Sequence, residues 1–263
     1  MPATRRKSNR NTAEPSRHKS SSAKAAAGRD VESKSTAQHP PVRAAFLKRN
    51  GLGLALALLF VVSLVGQTLA GHRHDNAERV EHGAPVQTLG EYLGSGEFYS
   101  TTFENWESEF LQMGVFVLMT VWLYQRGSSE SRPLDRREEE EIEKVERKFY
   151  DGPAPKAATI GGLRQKLYEN SLSLTLFALF ALSFVGHLVG SWRDHVAEQA
   201  MHGGTPHSLA AHLGDAQFWF ESFQNWQSEF LAVFALVVLS IWLRQKESPQ
   251  SKPVDAPHSA TGR

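Results

Sequence analysis

Cysteine is absent from all 263 residues. That excludes a disulfide framework, a thiolate metal site and a cysteine nucleophile together. It also removes the usual redox indication of compartment. Charge of one sign is not in excess, since 29 Lys/Arg against 28 Asp/Glu leave a formal charge of +1. No phosphate-cradling loop, GxSxG or HExxH occurs, so no catalytic motif and no cofactor are implied. Average hydropathy is mildly polar, as in a soluble protein. Polar tails and a charged linker produce that average by diluting four dense apolar blocks.

Residues 52–70 carry no charge and are long enough to cross a bilayer, which takes about 20 residues. Residues 172–192 are their equal. Residues 110–124 and 230–243 are shorter, but each extends backwards through an Asn-Trp-x-Ser-Glu segment that completes a crossing. The expected fold class is therefore an all-α membrane protein with four transmembrane helices. Of the 29 Lys/Arg, twelve lie in the tail up to Arg49, ten between Arg126 and Lys166, and four from Arg244 onward. The two remaining loops hold only Arg73, Arg79 and Arg193. By the positive-inside rule both termini and the central linker are cytoplasmic, and the loops 71–108 and 191–228 face outward.

The first 45 residues are rich in Lys, Arg, Ser and Ala without apolar periodicity, and read as a disordered basic tail. This lead is too long for a secretory signal, and Thr68-Leu69-Ala70 is only a weak cleavage site. Residues 46–135 form a first two-helix membrane repeat, 136–165 a charged linker, 166–255 a second repeat, and 256–263 a short tail. In the linker, Glu140/Lys144 and Glu143/Arg147 are i,i+4 pairs in the favourable order on an exposed helix. Gly152-Pro-Ala-Pro155 provides a turn before the second repeat.

Sliding the sequence by 120 residues superposes the halves without a gap from Asn50/Asn170 to Asp135/Asp255. Matches run through Gly66/Gly186, Arg73/Arg193, Glu78/Glu198, His82/His202, Asn105/Asn225, Trp106/Trp226, Ser108/Ser228 and Glu109/Glu229. Apolar blocks alone match by composition, but matched polar residues across two loops indicate a tandem duplication. Two helices per unit make the repeats parallel. Ser63, Gly66 and Ala70 fall on one helix face, as do Ser183, Gly186 and Gly190, a stripe that lets helix backbones approach closely.

Several shared polar positions carry possible chemistry. Asp75, Glu78 and His82 share a face if the first helix continues outward, and His195, Glu198 and His202 repeat it. Glu78, His82, Glu198 and His202 are metal-ligand types at helical spacing. The plainer alternative is capping: Glu78 pairs with His82, and Gly83 supplies a left-handed stop. His187, His207 and His212 enrich the second unit, but positions 67, 87 and 92 are Gln, Gln and Tyr, which places them outside the shared pattern. Thr88-Leu-Gly-Glu91 is a capping box, whose counterpart from Ser208 keeps the cap and lacks the Glu. Asn105, Ser108 and Glu109, with Asn225, Ser228 and Glu229, form a polar face at the mouth of the second helix of each unit. They are either a helix-start arrangement with Trp in the aromatic belt, or an ion site at membrane depth.

From Leu89 to Phe98 and from Phe103 to Gln112, including Asn105-Trp-Glu-Ser-Glu-Phe, the chain resembles a family of small bacterial membrane proteins of unknown function. The leading Asn50-Gly-Leu and the trailing segment from Gln125 to Asp135 resemble it too. The resemblance implies a bacterial cytoplasmic membrane location and supplies no activity. The function expected is a non-enzymatic structural or interaction protein. The alternative is a small transporter or ion/proton-binding protein using Glu109 and Glu229, and a membrane metalloenzyme is the third reading. The expected partner is the lipid bilayer, with the basic tail able to touch anionic lipid. No folded nucleic-acid reader accompanies that tail.

Overall fold

The computed structural model describes residues 42–149 and 152–262, so the expected disordered tail lies, up to residue 41, outside the described residues. The described residues fall into two units divided between Leu59 and Phe60. Described residues form eight α-helices and no strand. The long helices are α1 (Val42–Glu81), α3 (Gly96–Met119), α6 (Ser171–His202) and α8 (Ala216–Leu239). Short α2 (Leu89–Leu93) and α7 (Leu209–His212) sit between them. The linker carries α4 (Arg136–Arg147) and α5 (Gly162–Glu169), with a single 3-10 turn at Lys156–Ala158. Two segments, Phe46–Glu81 and Ser171–His202, are long and apolar enough to cross a membrane.

Local chemistry explains where the helices start and stop. The Ser95 hydroxyl accepts from Phe98 N at 3.1 Å to open α3. The Asp215 carboxylate does the same for α8, accepting from Gln217 N at 3.0 Å. Helix α1 outruns its apolar block at both ends, and Gly83, at φ +69°, follows its last turn. Gly203 caps α6 with the same angle. Helices α3 and α8 end before the apolar blocks 110–124 and 230–243 do, because the backbone tightens into three-residue turns at Thr120–Trp122 and Ser240–Trp242. On α4, Arg147 pairs with Glu143 and Arg136 with Glu140.

Within the unit 60–263, α3 packs chiefly on α6 and next on α8. In the first hairpin, α1 with α3, Phe60 meets Trp106 at 6.0 Å, and in the second, α6 with α8, Phe180 meets Trp226 at 6.3 Å. Between hairpins the spacing closes. A Cβ at Gly186 would lie 2.6 Å from the Phe103 ring, and one at Gly190 2.5 Å from the Ser100 backbone nitrogen. Ser183, one turn earlier, is buried in the same contact zone. Beyond the far ends of α3 and α8 the chain repeats one loop geometry: Gln125 N donates to Ser131 Oγ and Gln245 N to Ser251 Oγ, both at 2.9 Å. The Ser128 and Ser240 hydroxyls, 2.9 Å apart, join the two loops.

Candidate functional site

One turn beyond Ser183 on α6 stands His187, fully buried. Its Nδ1 lies 2.9 Å from Glu107 Oε2 on α3, and Glu107 is fully buried as well. Its Nε2 faces Glu221 of α8 at 3.7 Å, an ion-pair separation too long for a hydrogen bond, and has no hydrogen-bond partner. Trp226 Nε1 donates to the second Glu107 oxygen at 2.9 Å. The Asn225 amide donates to Glu104 and also to the Glu221 carbonyl at 3.2 Å. The buried Phe218 ring covers the imidazole at 4.8 Å.

An isolated buried charge costs several kcal/mol of desolvation, so such groups persist only when paired. Here one imidazole sits between carboxylates from two other helices. An imidazolium between two carboxylates leaves the triad with a net charge of −1. A further proton on a carboxylate removes that charge. Three helices from both hairpins converge on this group.

The first hairpin holds the same place with uncharged groups. Gln67, 120 residues before His187, reaches Thr101 at 3.5 Å and Thr102 at 3.3 Å. Thr101 is the counterpart of Glu221, and Glu107 has Gln227 as its own. The charged triad therefore consists entirely of positions at which the halves differ. Searching for shared residues passes over it. The available signal was a histidine inside an otherwise apolar block, facing a unit whose second helix gains a glutamate.

The shared polar face is built differently. Asn105 Nδ2 donates to Thr101 O at 2.7 Å and Ser108 Oγ to Asn105 O at 2.8 Å, both within α3. Ser228 Oγ repeats the second bond with Asn225 O at 2.8 Å. Glu109 is exposed and Glu229 half-buried. Only Asn225 of this set touches the triad. Farther along, His82 and His202 meet edge to face at 5.1 Å. Each donates Nδ1–H to its own helix, to Glu78 O at 2.8 Å and Glu198 O at 2.9 Å, so the histidine bonds the backbone of the glutamate rather than its carboxylate. Of the small-residue stripes, Ser183, Gly186 and Gly190 lie in the α3 contact, whereas Ser63, Gly66 and Ala70 are exposed.

A family model described as a domain of unknown function (DUF6766) matches residues 43–263. The chain belongs to this family. No curated protein and no solved structure matches it. The DUF6766 match spans both hairpins, the linker and the C-terminal loop, and so contains the Glu107–His187–Glu221 triad whole.

Proposed function

We propose that this DUF6766 protein is a non-enzymatic, four-span membrane protein that binds a proton at the Glu107–His187–Glu221 triad between its two hairpins. The observation that carries the reading is full burial of an imidazole and a carboxylate 2.9 Å apart on helices of different hairpins, beside a second carboxylate. Ionisable groups at membrane depth are functional sites by default.

The membrane setting is supported by an inverted distribution of polarity. Among the described residues only Tyr92 and Phe218 are buried hydrophobics, against fourteen buried polar or charged residues. A soluble fold of this size reverses that ratio. Helix α3 turns Glu107, Ser108 and Gln112 inward and leaves Met113 and Met119 exposed, while α8 exposes Phe223, Leu231 and Phe234. At 1.5 Å per residue, 24 residues reach about 36 Å, beyond the roughly 30 Å apolar core. Both helices are therefore counted as spans. The 26 Lys/Arg outside the two outward loops favour cytoplasmic termini and linker. The family resemblance favours the bacterial cytoplasmic membrane, where the basic tail meets anionic lipid.

A hydrophobic carbodiimide tests the site, because it modifies protonated carboxyl groups within lipid. In vesicles, peptide mass spectrometry is expected to find an adduct at Glu221 or Glu107 that grows as pH falls. It is expected to vanish in the Glu107→Gln, Glu221→Gln double variant. Labelling confined to Glu109 and Glu229, or absent from both triad carboxylates at every pH, sinks the proposal.

A further inference from the structure

Beyond the triad, the second hairpin gathers a further set of titratable side chains around α7. His207 Nε2 lies 3.3 Å from Asp215 Oδ2, and His212 offers a ring nitrogen within 4.8 Å of both. His212 is buried, at 4 % exposure. Its Nε2 is 2.9 Å from Ser191 Oγ, and its Nδ1 is buried with no hydrogen-bond partner. His195 stacks on His207 at 4.1 Å, and its Nε2 is likewise buried and unpartnered. Buried polar atoms in folded proteins are nearly always satisfied, so two orphaned imidazole nitrogens in one cluster need a cause.

We propose that His207, His212 and Asp215 bind a divalent transition metal of the Zn²⁺ class through two nitrogens and one oxygen, with the fourth position beside His195. Ligands about 2.1 Å from one ion at the tetrahedral angle stand about 3.4 Å apart, close to the separation of His207 Nε2 and Asp215 Oδ2. The Asp215 carboxylate is held in place by its other oxygen, which caps α8. With Nε2–H donating to Ser191 Oγ, His212 presents Nδ1 with its lone pair free, the arrangement a metal-binding imidazole needs. An imidazole and carboxylate set without thiolates suits Zn²⁺ and its neighbours rather than softer ions.

The first hairpin supplies an internal control. Its residues at the matching positions are Gly71, Asp75, Gln87, Tyr92 and Ser95, where the second has Ser191, His195, His207, His212 and Asp215. Tyr92 fills the space with a ring that is 1 % exposed, and a Cβ at Gly71 would collide with its hydroxyl. One hairpin closes this corner with tyrosine and the other leaves donor atoms there.

The whole chain, purified in lipid nanodiscs and stripped with chelator, is titrated with Co²⁺ and then Zn²⁺. One equivalent of Co²⁺ is expected to raise the intense visible bands of a tetrahedral site, and one of Zn²⁺ to bleach them. Ser191→Ala, which loosens only the supporting hydrogen bond, is expected to weaken binding about 10–100-fold. A Ser191→Gly, His207→Gln, His212→Tyr, Asp215→Ser variant adopts the packing of the first hairpin, so it is expected to melt normally and lose the bands. Should that variant keep them while His82→Gln, His202→Gln loses them, the metal sits at the other histidine pair and the proposal fails. It also fails if the parent shows no saturable one-to-one binding.

Discussion

At the scale of single residues, the two hairpins are a matched experiment in what one side chain adds. Thr88 and Glu91 form a reciprocal capping box: Thr88 N donates to Glu91 Oε2 at 2.7 Å, and Glu91 N to Thr88 Oγ1 at 3.3 Å. Ser208 repeats only the second bond, with Ala211 N at 3.3 Å. The backbone bond from Thr88, then its hydroxyl, holds the Glu91 carboxyl below its ordinary value of 4.5. A carboxylate with a depressed folded pKa stabilises above its unfolded value and loses that contribution as pH falls through the folded one. The α2 cap is therefore expected to open below about pH 4.5 while the Ser208 cap is unaffected. NMR shifts of the Thr88 and Ser208 amides across that range check it: parallel movement of both would refute the role of Glu91. This box was legible in the sequence because capping depends on neighbours in the chain. The His187 triad was not, since Glu107, His187 and Glu221 are brought together by packing from three separate helices.

At the scale of helices, the same stripe of small residues occurs twice and is used in two ways. A Cβ on Gly190 would meet Ser100 N and Tyr99 backbone carbon, neither of which can swing aside. At Gly66 nothing lies within 4 Å of an added Cβ. Gly190→Ala is thus expected to destabilise by about 1–3 kcal/mol, the usual range for overpacking. Gly66→Ala is expected to be neutral or stabilising by up to about 1 kcal/mol, from helix propensity alone. Thermal unfolding of the two variants in nanodiscs separates them, and equal loss in both would mean that the stripe of α1 is packed as tightly as that of α6. Sequence pattern located both stripes but not this difference, because i,i+3,i+7 spacing defines a face and says nothing about what lies opposite. The blocks themselves were legible from hydropathy. Their ends were less so: helix α3 stops at Met119, where the Thr120 hydroxyl bonds Val117 O at 2.8 Å and the turn tightens, although apolar residues continue.

At the scale of the whole molecule, the absence of cysteine turns topology into a clean measurement. Every engineered thiol is the only one in the chain, so an impermeant maleimide reports one position without background. Parallel hairpins place the Glu81 and Met201 ends of α1 and α6 on the same side of the membrane. Inverted hairpins place them on opposite sides. Glu81 and Met201 are both exposed, as are Glu141 on α4 and Ser259 near the C-terminus. With Lys/Arg concentrated in the tails and linker, Glu81→Cys and Met201→Cys are expected to label in intact cells. Glu141→Cys and Ser259→Cys are expected to label only after permeabilisation. Labelling of Glu81→Cys without Met201→Cys would break the parallel arrangement. Labelling of Glu141→Cys from outside would reverse the orientation and put the His207–His212–Asp215 cluster in the cytoplasm, where a metal reaches it from the opposite compartment. The two results bear on different claims: the first on how the hairpins are related, the second on which compartment the donor cluster samples.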